Sequence, residues 1–220
     1  MPKDELTTTS YGMLGLLAVQ PWSTYELAKQ MRRNLHFFWP RAESNLYAEA
    51  KRLVAGGWAQ ARARPVGDRR RTVYSITAKG RRALAQWLEQ PAEPTKLEAE
   101  ALVKFAFAEN STKEHVLENV RRFREDALAR QSALRAIFGE YLRDADPFPQ
   151  RVHINVAAYR LLWDYAQADA NWATWALEQI ERWPSAQSAP PRSALMRVLQ
   201  DALASKTLTA PAVADNNLSQ

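Results

Sequence analysis

Apolar side chains recur at helical spacing through most of this chain and alternate with polar ones in one short region. That pattern predicts a mixed first part and a helical second part. Tyr11, Leu14, Leu17 and Ala18 share one face of a helix predicted from about Thr8 to Val19, which stops before Pro21. Ser23-Thr24-Tyr25-Glu26 has the S-x-x-E form of a capping box and opens a second helix, with Leu27, Ala28 and Met31 inward and Lys29, Arg32 and Arg33 outward. Beyond the aromatic stretch Phe37-Phe38-Trp39-Pro40, a third helix gathers Leu46, Ala50, Leu53 and Val54 into one arc. Gly56-Gly57 ends it, and Trp58 can pack back on its last turn.

From Trp58 to Arg64, Trp and Ala alternate with Gln and Arg, and Thr72-Val73-Tyr74-Ser75-Ile76 is β-prone. The two runs predict a hairpin flanking Gly67-Asp68, with Val66 to Arg71 as its tip. Thr77 caps a fourth helix of about Ala78 to Gln90, apolar at Leu84, Trp87 and Leu88. Pro91-Ala92-Glu93-Pro94 then breaks the composition and marks a boundary, giving a first domain of residues 1–91 and a helical domain of residues 92–183.

In the second part a helix is predicted from about Thr95 to Ala108, and Ser111-Thr112-Lys113-Glu114 caps another that runs to about Leu142. Its Val116, Val120, Phe123, Ala127, Leu134, Ile137 and Tyr141 keep an alternating four-three spacing except at Arg130. After Asp146-Pro147-Phe148-Pro149, a helix of about Gln150 to Trp183 carries Val152, Val156, Tyr159, Trp163, Ala166, Ala170, Ala173, Leu177 and Ile180 on the same alternation. A repeat of this length requires a helix-on-helix seam, within one chain or between two. Residues 184–220 are a tail rich in Ala, Ser and Pro, with one amphipathic helix at Arg192 to Ser205 and the rest partly disordered.

Charge sharpens the division. Residues 1–90 hold 15 Lys and Arg against 7 Asp and Glu, leaving 15 against 17 for the remainder, so the net charge of +6 comes from the first domain. A basic surface of this kind attracts phosphate backbones. The third helix gives that attraction an address: opposite its apolar arc lie Arg41, Ser44, Asn45, Ala48, Lys51 and Arg52. Ala48 lets the backbone approach a groove floor, Asn45 can pair with adenine, and Arg41 or Arg52 can address guanine or phosphate. Arg64, Arg69, Arg70 and Arg71 cluster at the hairpin tip, where they can track a sugar-phosphate backbone or the minor groove.

Other chemistries find little footing. With no cysteine there is no disulfide framework and no thiolate metal site, and no apolar run reaches the length of a membrane span, so a soluble, cytoplasmic protein is expected. His36, His115 and His153 are scattered without metal-ligand spacing, and no nucleophile elbow or phosphate-binding glycine loop is present. Neither an enzyme nor a metal or cofactor site is expected. A helical protein-binding adaptor with a basic docking domain is the alternative. Tyr159, Trp163, Trp172 and Trp175 offer rings that can stack on a planar effector, against the plainer reading of these residues as core.

Residues 8–90 resemble the winged helix-turn-helix domain of PadR-like transcriptional regulators through Tyr25-Glu26-Leu27, Phe37-Phe38-Trp39, the helix from Asn45-Leu46-Tyr47 to Leu53, and Tyr74-Ser75-Ile76-Thr77-Ala78-Lys79-Gly80-Arg81. Residues 95–183 resemble the helical C-terminal domain of the longer, virulence-activator-type members in length and helix pattern. The resemblance implies a mainly α fold with a small β-hairpin, and a homodimer joined chiefly by C-terminal helices on a pseudo-palindromic promoter site. It also implies repression, and release by a small aromatic molecule in some members. It places Tyr47 near DNA, and it suggests a second copy as part of the cover for the seam, at Val156, Trp163, Leu177 and Ile180.

Overall fold

The computed structural model describes residues 5–34, 39, 43–66, 69–188 and 190–204, and the chain divides into two units, Met1–Leu97 and Glu98–Gln220. The first is helical around a small sheet: α1 (Thr8–Val19), β1 (Trp22–Ser23), α2 (Thr24–Asn34), α3 (Glu43–Ala55), β2 (Ala59–Val66), β3 (Arg69–Ile76) and α4 (Ala78–Leu88). Thr7 and Ser10 close a reciprocal capping box on α1. Ser23 and Glu26 do the same for α2, since the Ser23 amide and hydroxyl donate to Glu26 Oε2 at 2.9 and 2.6 Å, and the Glu26 amide donates to Ser23 Oγ at 3.3 Å.

The hairpin is one strand richer than the alternation predicts. Trp22 pairs with Tyr74 and Ser23 with Val73, so the antiparallel sheet has the order β1-β3-β2. A two-residue strand carries no readable period, and its partner lies about fifty residues away. Around the sheet, Met13, Leu14, Leu17, Leu27, Ala28, Met31, Leu46, Ala50, Leu53 and Trp58 form a buried core. Trp87 of α4 stacks on Tyr11 of α1 with ring centroids 4.7 Å apart. Leu88, expected on the apolar side, is the last residue of α4 and is exposed.

The second unit holds α5 (Glu100–Ala106), α6 (Lys113–Tyr141), α7 (Val152–Glu181) and α8 (Arg192–Ala204). α5 is shorter than the span from Thr95 to Ala108, and its start at Ala99 has no side-chain cap to extend it. Thr112 caps α6 by accepting from the His115 amide, and a 3-10 turn at Pro149–Arg151 leads into α7. α6 and α7 form an antiparallel pair. Val116 and Val120 meet Ala173, Ala176, Leu177 and Ile180 at one end, and at the other the Tyr141 hydroxyl accepts from Asn155 Nδ2 at 2.8 Å. Where the spacing breaks at Arg130, the buried seam position is Gln131, whose amide donates to the Ala166 carbonyl at 3.3 Å, while Arg130 forms an ion pair with Asp169 across the pair. Among the described residues no helix is long and apolar enough to cross a membrane.

Candidate nucleic-acid interface

α3 is held at its C-terminal end by the turn that follows it and by the residues that lead into α4. Gly57 has φ of +74°, which lets the Trp58 amide return to the Leu53 carbonyl at 2.9 Å and close the helix. The Thr77 hydroxyl donates to the Gly57 carbonyl at 2.7 Å and Lys79 Nζ to the Gly56 carbonyl at 2.8 Å, with the ammonium 4.4 Å from the centre of the Trp58 ring. A Cβ on Gly80 would stand 2.1 Å from the Trp58 carbonyl oxygen, so α4 can begin here only because that residue is glycine. The run Ile76-Thr77-Ala78-Lys79-Gly80 thus anchors the end of α3 to the start of α4, and a cation at a helix C-terminus also suits the helix dipole.

The outward side of α3 is small and polar. Asn45, Ala48 and Lys51, each three residues on from the last, are exposed, Tyr47 is half-buried on the flank, and Leu46, Ala50 and Leu53 face the core. Arg41 and the side chain of Ser44 lie outside the described residues. Arg52 departs from the exposed arc assigned to it: its guanidinium folds back over the helix. It donates to both carboxylate oxygens of Glu49 at 2.9 and 2.8 Å, to Ser10 Oγ at 2.6 Å and to the Glu5 carbonyl at 2.9 Å. Burial pushes the Glu49 carboxyl up, but the hydrogen bonds from Arg52 and Ser10 and the charge of Arg52 outweigh it, so the group lies below its ordinary value. A helical wheel sorts residues by angle, and a long side chain on the border of two arcs goes to whichever partner it can reach.

In the hairpin, Arg64 is paired with Arg71, Pro65 with Arg70 and Val66 with Arg69, so the last three rungs of the ladder carry the four arginines of the tip. Residues 67–68 and the side chains of Arg64, Arg69 and Arg70 lie outside the described residues. Arg71 is exposed, with Nη1 3.5 Å from Glu26 Oε1. The Glu26 carboxyl is held below its ordinary value by the hydroxyl and then the amide of Ser23, with the charge of Arg71 adding and burial opposing. Arg62, two residues before Arg64 in the same strand, is not among the residues singled out from the sequence; it is exposed, beside Gln60.

The aromatic and seam candidates of the second unit separate. Tyr159 is buried against Phe138 and Tyr141, and Trp163 packs on Phe138 beneath the Arg135 guanidinium. Trp172 belongs to another cluster, edge-on to Phe105 and Phe123, and Trp175 is 41% exposed. Tyr159 and Trp172 are thirteen residues apart, roughly 20 Å along the helix, so the four residues line no single cavity. A cavity beside Phe105 of the Trp172 cluster, bounded by Ala101, Lys104, Phe105, Val116, Asn119 and Val120, holds about 10 Å³ and is too small for an aromatic ring.

Leu177 at 7% exposure and Ile180 at 0% are covered by α6 of the same chain, which corrects their assignment to a contact between copies. Trp163 is half-buried and Val156 half-exposed. A second four-three series on α7, roughly 160° around the helix from the first, faces outward at Ile154, Ala158, Leu161, Tyr165, Ala168 and Trp175, while its remaining member, Trp172, packs on Phe105 and Phe123. Of these, Ile154, Leu161, Tyr165 and Trp175 are 49%, 58%, 50% and 41% exposed. Among the described residues no group of three or more His, Asp or Glu side chains is placed to hold a metal ion.

Known proteins share this arrangement. Residues 13–86 match the model of the transcriptional regulator PadR-like family, and residues 99–181 match the virulence activator alpha C-terminal model. The negative transcriptional regulator PadR of Bacillus subtilis is 26% identical over 180 residues, which span 77% of this chain and 93% of that protein. A probable transcriptional regulator of Mycobacterium tuberculosis is 30% identical over 87 residues, 39% of this chain and 46% of that protein, so the match covers less than half of that relative. In three dimensions the chain is similar to Bacillus subtilis PadR in complex with operator DNA, with a TM-score of 0.67 at 20% identity over 79% of this chain and 99% of the other, which is a likeness of fold. The two matched segments follow one another in the order of the two units and together span most of the chain, and it belongs to the PadR-like family of transcriptional regulators.

Proposed function

We propose that this regulator is a sequence-specific DNA-binding repressor of the cytoplasm that grips a pseudo-palindromic promoter site as a homodimer. The observation that carries the reading is the outward face of α3, where Asn45, Ala48 and Lys51 stand exposed on a helix anchored at its end and followed directly by the arginine-rich hairpin. Asn45 reads a base edge, Ala48 permits close approach, and Lys51, Tyr47, Arg41 and Ser44 meet phosphates or flanking bases. Arg62, Arg64, Arg69, Arg70 and Arg71 form the wing, for which the affinity of arginine for phosphate is the support. The structure of Bacillus subtilis PadR with operator DNA is consistent with this use of the fold.

Dimerisation moves from the first α7 series to the second. Ile154, Leu161, Tyr165 and Trp175 are exposed in one copy, and a contiguous apolar stripe of this kind calls for a cover. A two-fold partner supplies the same stripe and places two α3 helices one helical turn of DNA apart. Release by a small aromatic effector completes the proposal, supported by the complex of Bacillus subtilis PadR with p-coumaric acid. The test is retention of the protein on its own upstream DNA through a salt gradient. Salt-sensitive binding that exceeds binding to scrambled duplex is expected, whereas equal retention on any polyanion would favour a protein-docking adaptor.

A further inference from the structure

We propose that Arg52 is a positioning residue: with Glu49 and Ser10 it sets how α3 lies against α1, and it does not itself meet DNA. The inference rests on the DNA-binding function proposed above. Ser10 is fully buried and joins two devices, since it accepts from the Thr7 amide at 2.7 Å in the cap of α1 and from Arg52 Nη2 at 2.6 Å. Arg52 engages four of its five N–H donors within the protein, two on Glu49, one on Ser10 and one on the Glu5 carbonyl. The bidentate fork fixes the orientation of the guanidinium as well as its place.

Glu49 has no evident role at a DNA surface except through this network. A carboxylate on a recognition helix repels phosphate, yet its side chain is only 13% exposed and its charge is matched by Arg52. Drawing Arg52 away to a phosphate would strand that carboxylate and remove a donor from Ser10, which is costly for a group so enclosed. The pair therefore contributes nearly no net charge and one fixed geometry: a tie between the N-terminal turn of α1 and the last turns of α3. Asn45 and Ala48 lie on the same rigid helix, so the rotation set at Arg52 decides where their side chains arrive in a groove.

Charge and positioning predict opposite signs, which makes the test sharp. The variants Glu49→Gln, Arg52→Gln, Arg52→Lys and the double variant Glu49→Gln/Arg52→Gln are titrated on the protein's upstream operator duplex and on a scrambled duplex across a salt series, with thermal melting as the check on folding. Positioning predicts that Glu49→Gln and Arg52→Gln each reduce the operator-over-scrambled ratio about tenfold, that the double variant is no worse than either, and that the salt slope stays at the parent's value. Arg52→Lys should fall with Arg52→Gln, because a lysine cannot make the fork. A Glu49→Gln protein that binds both duplexes more tightly, or an Arg52→Gln protein whose salt slope drops by about 0.9, would mean that Arg52 serves as a phosphate contact and would overturn the inference. A parent that does not distinguish the two duplexes overturns the proposed function, and this inference with it. A parent that does, with variants that match its ratio, overturns this inference alone.

Discussion

The outward face of α3 and the outward face of α7 are both exposed, and they are opposites in chemistry. On α3 the exposed positions are an amide, a methyl and an ammonium, at Asn45, Ala48 and Lys51. On α7 they are Ile154, Leu161, Tyr165 and Trp175, large and apolar. A polar face costs little in water and can wait for a ligand that arrives only at one site in a genome. An apolar stripe is unfavourable in water by about 25 cal/mol for each Å² exposed, so it seeks a permanent cover. On the proposed reading the α3 face is engaged transiently and the α7 stripe permanently, and this orders the effects of mutation.

The largest effect is expected from Leu161→Glu combined with Tyr165→Glu. These positions lie away from the α6 contact, so the second unit should keep its helicity while light scattering shows a monomer. Affinity for the full operator should fall on the order of a hundredfold or more, because the second half-site is no longer bound as an effectively intramolecular event. A dimer that persists would remove this stripe from the interface and erase the contrast between the two faces. The same substitution at Leu177 would be uninformative, since that side chain packs inside the α6–α7 pair and its loss would unfold the unit.

A smaller change should follow from neutralising Arg69, Arg70 and Arg71 together with glutamine. Affinity should drop for every DNA sequence alike, and the slope of log affinity against log salt should flatten by about 0.9 for each phosphate that the wing no longer neutralises. A slope equal to the parent's would take the wing out of the interface. The smallest effect, and the most selective, belongs to Asn45→Ala. Its loss should cost about 1–3 kcal/mol on the operator and relax preference at one base pair, with scrambled DNA unaffected. An unchanged footprint would show that another residue of the α3 face reads the bases.

Much of the fold is legible in the sequence because its elements announce their own ends. The span of α1, the Ser23-Glu26 box, the stop at Gly56-Gly57 and the Thr77 cap are all local signals, and each falls where the residues imply, while the cap of α6 falls on Thr112 within the run Ser111-Thr112-Lys113-Glu114. What is not legible is what depends on partners far along the chain. β1 exists only because Val73 and Tyr74 come back to it, and Arg52 turns inward only because Ser10 of α1 stands within reach. The seam of α7 shows a further limit. A four-three series demands a cover without saying whose, so it offers Leu177 and Ile180 to a second copy when α6 already holds them. The outward series from Ile154 to Trp175 is equally readable, but it is hidden by the stronger series that shares its helix.

One consequence of the short strand β1 concerns how the first unit comes together in time. Ser23 is at once a rung of the sheet, opposite Val73, and the residue that starts α2 through Glu26. Helix α2 can cap itself as soon as it forms, but the rung must wait until about fifty more residues have been placed, so closing this ring is a late, non-local event of the kind that slows folding. Protection of the backbone amides that join β1 to β3, of which Val73 and Tyr74 supply one because neighbouring amides on a strand point to opposite sides, should therefore appear last in pulsed hydrogen exchange. In the native protein the same amides should exchange only when the whole unit opens, which would make them a gauge of its global stability.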